Sequence, residues 1–203
     1  MENSMKQVNN FQLIICIFIA GLICGMIAYA LIDFGAVQLS YRIVYSEITP
    51  PSVQVLVDRD YYYSLIADLR SANCCIKVAM YSMIYDEDDP FDWANDLIRE
   101  LVYAKQRDVN VSVVIEYRTY YGYMDDNLPA YNYLLSNGVN VKLDYETDTD
   151  HLKLVLIDDK ITYVGSHNWS ESALYYNHET SVKIISQEIT QKFKEYLKNN
   201  YGV

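Results

Sequence analysis

Positive charge, histidine and cysteine are all scarce in this chain, and each shortage removes a class of function. Lys and Arg together number 16 against 27 Asp and Glu, a formal net charge of −11. A surface with that balance has no long-range hold on a polyanion such as duplex DNA, so any phosphate must be met by a few local groups. Four cysteines make no disulfide framework. Cys16 and Cys24 lie in an apolar run, while Cys74 and Cys75 are neighbours in an expected core strand and read as buried, inert thiols. No zinc-ligand spacing occurs, and neither a metal nor another cofactor is expected. The histidines number three, and no internal repeat is visible.

What is present is apolar and rich in tyrosine. A hydrophobic fraction of 51% excludes general disorder, and 21 tyrosines against 5 phenylalanines make the aromatic surface suited to half-wet interfaces. At 203 residues the chain has room for one sizeable domain and an appendage. The appendage is an expected transmembrane anchor over residues 13–32, LIICIFIAGLICGMIAYALI, an uncharged run of the length a helix needs to span a bilayer. Residues 1–12 form a short tail and 33–51 a connector ending in Pro50 and Pro51. Lys6 before the run and Asp33 after it favour a cytoplasmic N-terminus, with single-pass membrane localisation. Gly21 and Gly25 have the spacing that lets two membrane helices approach closely.

From residue 52 to 203 the patterns alternate. Strands are expected at Ser52 to Val57, Cys74 to Ile84, Val109 to Tyr117 and in VNVKLD, and helices at Asp60 to Ala72, from Pro90 to about Arg107, and near Pro129 to Ser136. A last helix is expected over Gln187 to Tyr201, with Lys192, Lys194 and Lys198 near its end, where cations suit the helix dipole. Strands alternating with helices predict an α/β sandwich around a mixed central sheet.

The chemistry concentrates in HLKLVLIDDKITYVGSHNWS, which starts at His151. Residues two apart on a strand point the same way, so His151 and Lys153 are displayed together. Asp158 and Asp159 start a turn, ITYV returns as a second strand, and Gly165 permits a tight bend bringing Ser166 and Asn168 back beside the first. Histidine can attack or carry a proton, lysine is a fixed cation, and serine and asparagine donate hydrogen bonds. Together they suit displacement at an anionic centre, most naturally a phosphodiester. His167 and His178 have no partner residue in the pattern and are expected to be structural. Trp169 reads as a packing or pocket-wall residue. Tyr117, Tyr120, Tyr121 and Tyr123 form a cluster that either lines the cleft or is an ordinary loop.

The spacing H-x-K-x4-D-x6-G-S-x-N resembles the HKD motif of the phospholipase D superfamily, with Asn177 and Glu179 where members carry an asparagine and a glutamate. The resemblance implies a catalytic set of His151, Lys153, Asp158, Ser166, Asn168 and Glu179. His151 would form a phosphohistidine, Lys153, Ser166 and Asn168 would bind substrate, Glu179 would orient the histidine, and Asp158 would brace the strand-turn. Because the superfamily's site needs two motifs and neither His167 nor His178 is followed by a matching lysine, a homodimer sharing the site is implied. The chain is similar in size to single-motif members, the bacterial endonuclease type and the mitochondrial cardiolipin hydrolase type, and it lacks the zinc-finger insertion of the latter. Three functions follow in order of preference: a membrane-anchored phospholipid phosphodiesterase, an endonuclease on DNA or RNA, and a non-catalytic dimeric scaffold.

Overall fold

The computed structural model describes residues 22, 24–33, 50–117, 125–145 and 148–203, in two units divided after Thr49. In the first unit residues 24–33 are helical and exposed. Half of the anchor expected over residues 13–32, Cys16 and Gly21 included, lies outside the described residues, as does Lys6. No described helix is long and apolar enough to cross a membrane.

The second unit, Pro50–Val203, runs β1 (Ser52–Val57), α1 (Asp60–Ser71), β2 (Cys75–Met80), α2 (Trp93–Gln106), β3 (Asn110–Glu116), α3 (Leu128–Ser136), β4 (Asn140–Asp144), β5 (Lys153–Ile157), β6 (Ile161–Gly165), a π-turn (Ser172–Tyr176), β7 (Thr180–Ile185) and α4 (Gln187–Tyr201). The strands form one sheet in the order β1-β7-β6-β5-β2-β3-β4. β2, β3 and β4 are parallel, whereas β5, β6, β7 and β1 pair antiparallel. The mixed α/β sandwich expected from the alternating patterns is therefore what forms. Two details differ. The apolar run from Cys74 leaves the sheet after Met80, and β7, whose TSVKII mixes polar and apolar residues without clean alternation, was not anticipated.

Side-chain alternation sorts the sheet into two faces. Ile76, Val78 and Met80, Val113 and Ile115, and Val155 and Ile157 pack with Leu65 and Leu69 of α1, Leu97 and Leu101 of α2 and Leu134 of α3. Ala79, Val114, Leu154 and Leu156 face the other way and meet Leu197 and Tyr201 of α4. One face thus carries three helices and the other one. Caps fix the helix ends: Asp92 accepts the Ala94 N–H at 2.8 Å and Ser186 that of Ile189 at 3.3 Å, while Gly202 closes α4 in the left-handed region. Of the lysines expected to serve the α4 dipole, Lys198 sits in its last turn. Lys192 instead pairs with Glu188 on the same helix, and Lys194 pairs with Asp159.

This topology puts the carboxyl ends of β2, β3, β4 and β6 and the amino ends of β5 and β7 on one edge of the sheet. Open α/β sheets bind ligands at such an edge.

Candidate active site

The edge is assembled around Tyr81, the residue that follows β2. Its N–H donates to the Leu152 carbonyl at 2.8 Å, which fastens the start of β5 to the end of β2. The His151 ring meets the Tyr81 ring at 4.4 Å between centroids and 63° between planes. The Lys153 ammonium sits 4.7 Å from the same ring centre and donates to the His151 carbonyl at 3.2 Å. Lys153 is buried while His151 is exposed. An ammonium withdrawn from water needs such partners, and a ring face with a carbonyl offsets part of the desolvation. One phenol ring thus holds both the imidazole and the cation.

Tyr81 is placed in turn by Asn127, which is fully buried. Asn127 accepts the Met83 N–H at 2.8 Å and donates to the carbonyls of Tyr81 at 3.0 Å and Glu116 at 2.7 Å, tying the ends of β2 and β3 together. Nothing in the local sequence marks either residue. A buried asparagine that serves backbone groups is identified only once the strands are paired.

The second strand of the motif arrives in register, with Leu154 opposite Val164. Gly165, expected to permit a tight bend, ends β6 without a positive φ. A Cβ there would lie 2.2 Å from the Ser181 Oγ and 2.4 Å from the Thr180 carbonyl, so glycine is required because β6 and β7 approach closely. That approach lets Ser166 Oγ take the Thr180 N–H at 3.0 Å and donate to the Glu179 carboxylate. Asn177 Nδ2 donates to the other Glu179 oxygen at 3.3 Å. Within one chain Glu179 is held by Ser166 and Asn177 rather than by His151. Asn168 is half-buried, and its side-chain oxygen has no hydrogen-bond partner among the described residues.

Asp58, which the sequence reading passed over, organises the start of β7. Its Oδ1 accepts the Glu179 N–H at 2.9 Å and its Oδ2 pairs with His178 at 3.1 Å. These two contacts, His178 first, hold the Asp58 carboxyl below the usual carboxylate range. The Asp58 carbonyl takes a hydrogen bond from His167 Nε2 at 2.9 Å, so His167 Nδ1 is the acceptor for Ser181 Oγ at 2.7 Å. His167 is fully buried and stacked on Tyr61 at 4.3 Å, and burial pushes its pKa down, giving a neutral imidazole that staples the β6–β7 connection. Trp169 is also fully buried and donates to the Tyr61 hydroxyl at 3.2 Å, which makes it core rather than pocket wall. Tyr117 meets Tyr145 at a tilt, with 4.5 Å between ring centroids, whereas Tyr120, Tyr121 and Tyr123 lie outside the described residues.

Asp158 stands apart. It follows β5 at the far end from His151, about 23 Å along the strand at the usual rise per residue. Its carboxylate accepts the N–H groups of Asn73 at 3.0 Å, Cys74 at 2.8 Å and Cys75 at 3.3 Å, and its own N–H donates to the Cys75 carbonyl. Counting it with the catalytic residues is corrected by this geometry, because it touches the opposite edge of the sheet. Bracing is the role its contacts describe. Cys75 is buried as expected, but Cys74 is exposed, because β2 begins one residue later than the apolar run.

Chemically, the edge offers an exposed imidazole, a buried ammonium beside it, and the hydroxyl and amide of Ser166 and Asn168 from the adjoining strand. That is a set for a nucleophile attacking an anionic centre. A sequence profile described as "Cardiolipin synthase, PLD-like domain" matches residues 65–201. Comparison with curated protein sequences finds no match. Among solved structures the chain is similar to Nuc from Salmonella typhimurium, a phospholipase D family member, at 26% identity, covering 75% of this chain and 95% of that one with a TM-score of 0.64. NucT from Helicobacter pylori aligns at 23% identity over 74% of this chain and 95% of that one, TM-score 0.57. A phosphatidylserine synthase from Haemophilus influenzae Rd KW20 shares the fold at 13% identity, covering 76% of this chain and 40% of that one, TM-score 0.59.

Proposed function

The chain belongs to the phospholipase D-like family matched over residues 65–201, and from that premise we propose a membrane-anchored phosphodiesterase that cleaves phospholipid at a site shared by two copies of the chain. Phosphodiesterase chemistry is the family's. The lipid substrate, the anchor and the dimer are our reading.

The observation that carries it is the placement of His151, Lys153, Ser166, Asn168 and Glu179 at one sheet edge, with one motif histidine where the reading calls for two. In the full site His151 of one copy attacks phosphorus. A P–N bond forms as the P–O bond to the leaving oxygen breaks, and His151 of the second copy gives that oxygen a proton. The second histidine then takes a proton from water, whose oxygen displaces the phosphohistidine. Lys153 and Asn168 hold the nonbridging oxygens throughout. Ser166 fixes Glu179 where it can meet an incoming imidazole.

The thinly covered face of the sheet supports the pairing. Leu152, Leu154, Val164, Ile189, Phe193 and Tyr196 line an open apolar groove of about 420 Å³ that reaches Lys153. Val53, Val55 and Val57 stand exposed on β1. Apolar surface continuous with half a catalytic site is where a second copy would seat. Lipid is favoured over nucleic acid by the net charge of −11 and by the apolar run at residues 13–32. A single-motif endonuclease is the second reading, supported by the chain covering 95% of Nuc.

The full chain should be assayed in parallel on phospholipid vesicles and single-stranded DNA, with His151→Asn as the control. Release of a lipid headgroup that depends on His151 is expected, and DNA cleavage without lipid cleavage would select the second reading. Mixing His151→Asn with wild-type chains tests the shared site: activity should fall as the square of the wild-type fraction, and a linear fall would exclude it.

A further inference from the structure

The far edge of the sheet holds a second chemical cluster unconnected with phosphodiester cleavage. Cys74 Sγ lies 3.4 Å from Cys75 Sγ, and Cys75 Sγ lies 3.4 Å from the Asp159 Oδ1. One ligand atom from each of Cys74, Cys75 and Asp159 falls within 4.8 Å of the others. Neighbouring side chains of a regular strand point to opposite faces and do not converge in this way. They converge here because Cys74 stands in a bend before β2, and the Asp158 carboxylate pins the backbone N–H groups of residues 73, 74 and 75. The cluster is thus built by contacts that span more than eighty residues of sequence.

We propose that Cys74, Cys75 and Asp159 form a binding site for one soft divalent metal ion of the zinc and cadmium class, clipping the start of β2 to the β5–β6 turn. Metal–sulfur bonds of about 2.3 Å and a metal–oxygen bond of about 2.1 Å at tetrahedral angles call for S···S near 3.8 Å and S···O near 3.6 Å. The two spacings at Cys75 need to open by only a few tenths of an ångström, and the Cys74–Asp159 pair, within 4.8 Å, has to settle near 3.6 Å. Two thiolates and one carboxylate around a divalent ion carry one net negative charge. The Lys194 ammonium, which contacts the two Asp159 oxygens at 2.8 and 2.9 Å, neutralises it from outside the ligand set. Cys74 is exposed, which gives the ion an entry path and leaves a fourth position to water. Binding displaces the protons of both thiols, so affinity rises with pH.

The test uses the full chain carrying Cys16→Ser and Cys24→Ser, reduced and stripped of metal, with cadmium ion alone as the probe. Titration at pH 8 should give a thiolate-to-cadmium charge-transfer band that saturates at one equivalent, together with a higher melting temperature. Cys74→Ser alters only an exposed side chain. It should remove most of the band and the thermal shift, and Asp159→Asn should weaken binding at least tenfold. The proposal is overturned if the folded, reduced protein shows no band, or if the band survives Cys74→Ser unchanged. It is equally overturned if Asp159→Asn binds as tightly as the parent, since the ligand set would then lack its oxygen.

Discussion

The two ends of β5 carry the same motif and are built on opposite plans. At one end His151 is exposed and steadied by a single aromatic edge, and Lys153 rests on that same ring. At the other end Asp158 is held by three backbone amides and returns a fourth hydrogen bond through its own N–H. Asp158 and Asp159 both take up positive φ, a conformation that aspartate tolerates better than most residues. A contiguous sequence signature is thus one part reactive surface and one part scaffold. The reactive end keeps its imidazole accessible beside a buried cation, and the scaffold end spends its polar atoms on the backbone.

The largest effects should separate those roles. His151→Asn is expected to lower phosphodiesterase turnover about a thousandfold or more, as loss of a nucleophile does. Because the side chain is exposed, stability should change by no more than about 0.5 kcal/mol. Asp158→Ala should do the reverse: a stability loss of about 2 kcal/mol from stranded amides, with turnover per folded molecule nearly unchanged. Urea unfolding and active-site-normalised kinetics on both variants check the division. A kinetically dead but stable Asp158→Ala would return that residue to the reaction.

Between the extremes lies Tyr81, which belongs to the reactive end and is positioned by the scaffold. Tyr81→Leu should reduce kcat about tenfold by releasing His151 and Lys153 from their common ring. Tyr81→Phe keeps the ring and should retain most of the activity. If Leu and Phe behave alike, the ring is not what aligns the pair.

The same contrast explains what could be read from the amino acids. His151, Lys153, Ser166 and Asn168 are spaced by strand periodicity and a short return, so their placement at one end of the sheet follows from local rules. The α/β class was equally legible, because apolar runs and helical patterns alternate over most of the domain. Tyr81, Asn127 and Asp58 were not, since each meets partners, side-chain or backbone, that only the sheet order brings near. Gly165 was recognised as necessary for the wrong reason: what excludes a side chain is Ser181 and Thr180 on β7, a strand whose mixed pattern hid it. Asp158 was correctly expected to brace, yet its motif membership placed it with the catalytic group. Spacing in sequence does not say which end of a strand faces substrate.

The smallest effect should come from the carboxylates beside the reactive end. Asp150, immediately before His151, shares a hydrogen bond with Asp144 and lies near Glu116 and the Tyr201 hydroxyl. Burial first, then the Asp144 contact, pushes its carboxyl up to about 6. An unfolded aspartate titrates near 3.9, so between roughly pH 4 and pH 6 the folded chain binds more protons than the unfolded one. Stability must therefore fall as pH rises through that window and level off above it. Asp150→Asn should flatten the urea midpoint between pH 4 and 6.5 and leave a slightly more stable protein at pH 7. An unaltered slope would show that the repulsion lies elsewhere. A flattened one would mean that the end of β5 which stays open for chemistry carries a standing electrostatic cost at neutral pH.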